Sequence, residues 1–279
     1  MPVDGDSVAE AVLAARRYRG VAPALVRRLA AEEAGHARTA AEAEKRTKRR
    51  LHQLVGAYSG PGLTDAEARR IVARLRSAWS GSPDEAFLAV CREGLGRHAS
   101  TRERLPVIEA FYPAIWSVTG VPRSVIDLAC GLNPLAAPWM GLAAGARYVA
   151  YDIDAGLVAV AEAVLGLLGL DARVEVRDVA DDPPRDEADV ALLLKSVTTL
   201  DHQDPAAAGR LLAAVPARHL VVSFPTRSLA GRGKGMERTY RARFEKLRDE
   251  VVELGALIEE VKELPLTGEL VYVIRRSGG

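Results

Sequence analysis

Apolar positions change period about a third of the way along this chain, and the change divides it into two kinds of structure. Up to about residue 105 they recur at helical spacing, and no segment alternates as a strand does. Ser7 is expected to cap a first helix reaching about Arg19, Pro23 to start a second, and a third to run from about Thr39 through a basic cluster to Tyr58. Ser59-Gly-Pro-Gly62 breaks the pattern, and Thr64-Asp-Ala-Glu67 and Ser82-Pro-Asp-Glu85 then read as capping boxes opening two more helices. After Pro122, short apolar runs alternate with helical stretches, the signature of a parallel sheet with crossover helices. The expected strands are Ser124–Leu128, Arg147–Tyr151, Ala172–Val176, Asp189–Leu194, His219–Phe224, Ala256–Lys262 and Glu269–Ile274. The last two are joined by the break at Pro265 to Gly268 into a hairpin. The prediction is an α/β fold, a Rossmann-like seven-stranded core over 106–279 preceded by an all-helical domain over 1–105.

The strand ends carry the candidate chemistry. Val125-Ile-Asp-Leu-Ala-Cys-Gly131 reads as a buried strand with an acidic residue, Asp127, running into a turn of small residues. At that turn Ala129 and Gly131 let a ligand lie against bare backbone. Twenty-one residues beyond Gly131, the next strand ends in Asp152, a carboxylate able to accept from a ribose diol. This spacing is shared by dinucleotide dehydrogenases and by methyltransferases that use S-adenosylmethionine, and the turn chemistry separates them. A diphosphate needs a glycine-rich cradle at a helix N-terminus, whereas Ala129-Cys-Gly-Leu-Asn-Pro134 holds one glycine, with Asn133-Pro134 expected as an N-cap and a helix-starting proline. The methyltransferase reading is favoured, over an α/β domain with an ordinary turn and no ligand. Asp178 follows the third strand, where a carboxylate can accept from an adenine amine while Val179 covers the ring. Leu194 and Lys195 close the fourth, where a reactive methyl would emerge. Each residue has a plainer reading, Asp178 as a turn cap and Lys195 as an exposed strand-end lysine, but ligands of doubly wound sheets sit at such ends.

Composition narrows the setting. With 48% hydrophobic residues the chain can bury a large core and a smaller satellite, and the acidic N-terminus lacks a signal-peptide pattern, so a cytoplasmic protein is expected. The most apolar helix candidate, Leu157 to Leu170, is 14 residues long and contains Glu162, too short for a bilayer, so no membrane partner is expected. Cys91 and Cys130 are isolated and expected to be reduced and buried, and the five histidines lack zinc spacing, so no metal is expected. Net charge is only +1, yet from Arg16 to Arg50 eleven Lys/Arg face four Glu, a local excess of seven. Clustering of this size points to a polyanion partner, with a solvated helix face as the plainer reading, since Glu42 and Glu44 flank Lys45-Arg-Thr-Lys-Arg-Arg50.

Several blocks together resemble a known family. His98-Ala-Ser-Thr-Arg-Glu-Arg-Leu-Pro106, Asp127-Leu-Ala-Cys-Gly-Leu-Asn-Pro-Leu-Ala-Ala-Pro-Trp-Met-Gly141, Asp152-Ile-Asp-Ala155, Leu192-Leu-Leu-Lys195 and Phe224-Pro-Thr226 are similar to the aminoglycoside-resistance methyltransferases that modify N7 of guanine 1405 in 16S ribosomal RNA. The likeness extends to Val271-Tyr-Val-Ile274 and is strongest to the versions in antibiotic-producing actinomycetes. It implies S-adenosyl-L-methionine as cofactor, held by Tyr58, His98, Ala99, Ser100, Arg104, Ala129, Asp152, Asp178, Val179, Leu194 and Gln203, with Arg104 gripping the cofactor carboxylate. Ser100-Thr-Arg-Glu103 also reads as another capping box, which would leave His98 and Arg104 unexplained. The implied substrate is 16S rRNA within the assembled 30S subunit, met by a monomer. Lys45, Arg46, Lys48, Arg49 and Arg50 would dock on phosphates, and Lys195, Lys234 and Met236 would approach the flipped guanine, with Lys195 as the positioning group. No general base is expected, because guanine N7 has a free lone pair and loses no proton on methylation. An exocyclic-amine methyltransferase would be expected to carry an Asn/Asp-Pro-Pro-aromatic turn where this chain has Lys195-Ser-Val-Thr198. A small-molecule methyltransferase would not need the basic segment, a noncatalytic RNA-binding protein would not bind the cofactor, and methylation of the neighbouring adenine at N1 fits the Asp127–Gly141 block less well.

Overall fold

The computed structural model describes residues 3–59, 63–226 and 236–277. Helices α1 (Gly5–Ala14), α2 (Pro23–Ala34), α3 (Ala40–Ser59), α4 (Asp65–Ala78), α5 (Glu85–Leu95), the single turn α6 (Ala99–Arg102) and α7 (Ile108–Thr119) precede the first strand. Then follow β1 (Ser124–Leu128), β2 (Arg147–Asp152), α8 (Ala155–Leu167), β3 (Asp171–Val176), β4 (Ala188–Leu194), α9 (Val197–Gln203), α10 (Ala207–Ala214), β5 (Ala217–Pro225), α11 (Met236–Glu253), β6 (Ile258–Leu266) and β7 (Glu269–Arg276).

All seven expected strands form, in the order β3-β2-β1-β4-β5-β7-β6. The first five run parallel, and β7 inserts antiparallel between β5 and β6. Central strands read as continuous apolar runs because both faces are covered. Val125, Tyr148, Val190, Leu192 and Val271 pack under α4, α5, α7 and α8, while Ile126, Val149, Leu193, Val222 and Ile274 pack under α9, α10 and α11. Pro265 lies within β6, paired with Leu270, so the hairpin turn is Thr267-Gly268 alone and not the longer break expected. β6 is an edge strand, where a missing backbone N–H costs no ladder bond.

The helical half differs from expectation in its caps and its packing. Asp4, not Ser7, caps α1, accepting from the backbone N–H of Asp6 and Ser7, and that helix ends at Ala14. Thr64 and Glu67 form the expected box on α4, but Asp84 rather than Ser82 caps α5. Helices α1, α2 and α3 enclose a core of their own around Val12, Leu25, Val26, Leu29 and Leu51. Helices α4 and α5 instead join the core of the sheet through Leu75, Phe87, Cys91 and Leu95. The division between cores therefore follows α3, well before residue 105. This three-helix lobe is stitched to the sheet beyond β2: Ala22 N–H donates to the Ile153 carbonyl at 2.8 Å, and Ala155 N–H to the Gly20 carbonyl at 2.8 Å. No described helix is long and apolar enough to cross a membrane.

Candidate functional site

Strand order reverses between β1 and β4, where connections leave to opposite sides and a crevice must open at the carboxyl ends. A cavity occupies that crevice, about 910 Å³ of free space when the solvent-open region at its mouth is included. Its wall is built from the turn after β1 (Ala129, Gly131), the end of β2 (Asp152, Ile153, Asp154), the segment after β3 (Asp178, Val179) and the end of β4 (Leu194, Lys195). Leu200 and Gln203 on α9, Leu54 on α3, and His98, Ser100 and Arg104 around α6 complete it.

The β1 turn is shaped by backbone conformation. Ala129 and Gly131 take φ values of 50° and 55°. A Cβ on Gly131 would meet nothing within 4 Å, so its left-handed conformation, and not crowding, requires glycine there. Ala129 bears the same conformation with a side chain, a strain of about 1–2 kcal/mol held by its surroundings. The Gly131 N–H donates to Asp152 Oδ2 at 2.8 Å and Asp154 N–H to Oδ1 at 3.0 Å, which aims the carboxylate along the cavity wall. Burial pushes the Asp152 carboxyl up to about 6, against the lowering effect of the Gly131 N–H. Asn133 is not the N-cap expected. It is the first residue of a 3-10 turn, Asn133–Trp139, with its side chain buried. Its Oδ1 accepts from Tyr112 Oη at 2.6 Å and Arg104 Nη1 at 2.7 Å, and its Nδ2 donates to Asp127 at 2.9 Å. Asp127 does not line the cavity; it sits beneath the turn, accepts also from Tyr148 Oη at 2.8 Å, and is raised to about 7 by burial.

Beneath the cavity lies a buried charge network that the chain pattern does not announce. Arg104 grips Glu269 at the start of β7 through two hydrogen bonds, of 2.7 and 3.2 Å, and stacks on Phe111. Its charge is thus already paired, and any contact with a ligand carboxylate uses its remaining N–H groups. Lys195, expected to reach toward RNA, is 2% exposed, and its Nζ donates to Glu103 at 2.8 Å and to the Ser100 carbonyl at 3.1 Å, with Glu269 at 3.3 Å. It lines the cavity and is no surface group. Burial would raise the Glu269 carboxyl, yet Arg104 and Lys195 together hold it below the usual range. Ser100-Thr-Arg-Glu103 makes no capping box: His98 occupies the N-cap position, with its Nδ1 at 2.7 Å from Ser100 Oγ. Burial, then Arg102 and Lys195, lower His98 to about 4.

Of the expected cofactor residues, His98, Ser100, Arg104, Ala129, Asp152, Asp178, Val179, Leu194 and Gln203 converge on this one cavity. Ala99 does not line it. The Tyr58 side chain and Lys234 lie outside the described residues. Sequence reasoning missed Leu54, Asn133 and Arg28. Arg28, on α2, donates to Asp178 Oδ2 at 2.7 Å and to Gln203 Oε1 at 3.0 Å, while Asp178 Oδ1 accepts from the Ala180 N–H at 3.2 Å, so Asp178 caps the turn that follows it and answers to Arg28 as well. On α3, Arg46 pairs with Glu42, Lys48 with Glu44, and Arg50 with Glu32 and Glu33, while Lys45 and Arg49 are exposed with no ion pair among the described residues. Met236 begins α11 and is half-buried.

The residues fit an adenosyl sulfonium ligand better than a dinucleotide. Bare backbone at Ala129 and Gly131, acceptors at Asp152 and Asp178 and apolar cover from Val179 and Leu200 are present, whereas the turn after β1 opens a 3-10 helix begun by Asn133-Pro134 and offers no row of free N–H groups for a diphosphate. Sheet order and site define a Rossmann-like S-adenosylmethionine-dependent methyltransferase. Residues 14–273 match the ribosomal RNA methyltransferase (FmrO) family, and the chain belongs to that family. It is 41% identical over 272 residues to the 16S rRNA (guanine(1405)-N(7))-methyltransferase of Micromonospora echinospora, covering 97% of this chain and 96% of that protein. The enzyme of that name from Serratia marcescens is 34% identical, covering 96% of each. The crystal structure of the 16S rRNA methyltransferase RmtF in complex with S-adenosyl-L-homocysteine superposes with a TM-score of 0.80 at 35% identity over 98% of both chains. That of the 16S rRNA methylase RmtB gives 0.79 at 29% identity, covering 99% of this chain and all of the other.

Proposed function

We propose that this protein transfers the methyl group of S-adenosylmethionine to N7 of guanine 1405 in 16S rRNA, acting on the assembled 30S subunit as a cytoplasmic monomer. The methylated ribosome then resists aminoglycosides such as kanamycin and gentamicin. The observation that carries this reading is the near full-length family match combined with a cavity whose two carboxylate acceptors, Asp152 and Asp178, stand at the ends of successive strands.

When bound, the cofactor supplies an electrophilic methyl group on a sulfonium. The chain's own residues bind and orient. Asp152 offers its remaining lone pairs to ribose hydroxyls, Asp178 accepts from the adenine edge with Val179 covering it, and the free N–H groups of Arg104 face a carboxylate. Lys195, locked by Glu103 and Glu269, fixes the end of β4 beside the reacting centre. A purine N7 brings its own lone pair, so the protein needs no group to take a proton, and rate comes from alignment and preorganised dipoles. The RNA-docking surface is the α1–α3 lobe, with Lys45 and Arg49 standing exposed on α3. The i, i+4 pairs of Arg46 and Lys48 are worth little in water and can be exchanged for phosphates. Met236, at the start of α11, approaches the target base.

The direct test is tritium transfer from S-adenosylmethionine to intact 30S subunits, followed by mapping of the modified nucleotide. Label at guanine 1405, together with kanamycin and gentamicin resistance and retained apramycin sensitivity in cells, is the expected result. Label at the neighbouring adenine, or transfer to small molecules without 30S subunits, would replace this reading.

A further inference from the structure

Arg28 is the one described cation of the α1–α3 lobe whose side chain hydrogen-bonds residues that line the cavity. It lies on α2, 150 residues from Asp178 in sequence, and its Nη2 serves both Asp178 and Gln203. Its own bonding is otherwise poor: Nη1 reaches Glu32 at 3.4 Å, and Nε is buried with no hydrogen-bond partner, 3.8 Å from Asp181. The guanidinium therefore satisfies the cavity wall at the expense of its own Nε.

A guanidinium has donors only, so the atom of Gln203 that meets it must be the carboxamide oxygen. The Gln203 NH₂ is thereby kept away from Arg28, and a carboxamide that could otherwise turn either way is held in one orientation. Asp178 accepts on both oxygens, from Arg28 at Oδ2 and from the Ala180 N–H at Oδ1, and so offers acceptor lone pairs to the cavity. The wall beyond Arg28 thus presents one acceptor group and one donor group of settled polarity. We propose that Arg28 is a positioning residue that sets this polarity, so that the cavity selects a purine edge with an amine donor beside a ring-nitrogen acceptor, as in adenine, and rejects the 6-oxo edge of hypoxanthine. This rests on the adenosyl reading of the cavity.

The test compares S-adenosylhomocysteine with S-inosylhomocysteine by competition for the purified protein. Wild type is expected to favour the adenosyl compound by about a hundredfold, since each reversed polar contact leaves a buried group unpaired. Arg28→Met frees the Gln203 amide to turn and should narrow that ratio by about tenfold, with Arg28→Lys, which keeps a donor, restoring most of it. A ratio unchanged in Arg28→Met, with both affinities falling together, overturns the proposal, because that is what loss of packing alone would do. Should Arg28→Met fail to fold by circular dichroism, Gln203→Glu decides, since it keeps the bond to Arg28 and replaces the NH₂ by an acceptor. A ratio narrowed about tenfold supports the proposal, and a wild-type ratio overturns it. Wild type that binds neither compound overturns the cofactor reading itself, a result distinct from altered selectivity.

Discussion

Asp152 holds a carboxylate where burial opposes its charge, and ligand hydroxyls favour that charge. Its carboxyl is raised to about 6, whereas neighbouring His98, lowered to about 4, stays neutral above that. Affinity for S-adenosylhomocysteine should accordingly be flat above pH 7 and fall as pH drops through about 6, by up to about tenfold per unit. Asp152→Asn should bind more weakly at pH 7 and show no such fall, which calorimetry at several pH values will report. Asp127 acts on stability instead. Its folded value of about 7 exceeds that of an unfolded chain, so the native state binds more protons between roughly pH 4 and 7, and this group's contribution is greatest at the acid end and is lost as pH rises through 7. The stability difference between wild type and Asp127→Asn, from urea midpoints, should move in the variant's favour across that window. A difference that stays constant with pH would show that the carboxyl titrates normally.

At the scale of elements, Glu269 joins four pieces of chain that are distant in sequence. It accepts from Arg104 after α6, faces Lys195 at the end of β4, accepts from Ser223 on β5 and begins β7. Glu269→Gln leaves two buried cations short of an anion and should cost about 3–5 kcal/mol of stability. The same change should loosen the cavity, lowering cofactor affinity beyond what stability alone removes. Chemical denaturation with and without S-adenosylhomocysteine separates the two effects. A variant as stable as wild type would mean that Glu103 alone neutralises Lys195.

At the scale of the whole molecule, the three-helix lobe has its own core yet is stitched to the loop after β2 and to Asp178. Charge reversal at Lys48 and Arg49 on its outer helix should weaken 30S binding by about tenfold or more in low salt. Cofactor affinity should be unchanged, because neither residue lines the cavity. Filter binding across a salt series should also show a shallower slope for the variant. Equal loss of cofactor and 30S affinity would place the docking surface elsewhere.

The chain's own pattern determined the sheet, because strands buried on both faces must be short continuous apolar runs, and it determined which strand ends carry Asp152 and Asp178, because those positions follow the runs at once. The family resemblance likewise named nine of the residues that line the cavity. Only the tertiary structure decided what those residues bind. Arg104 turns to Glu269 across 165 residues, Lys195 is buried at 2% exposure, and Asp178 answers to an arginine of another lobe. Asn133, local in sequence and suited to a cap, is instead held by Tyr112, Arg104 and Asp127. Periodicity reports burial along one element, whereas a salt bridge between elements depends on how strands are ordered and lobes docked, which leaves no repeat in the sequence to read.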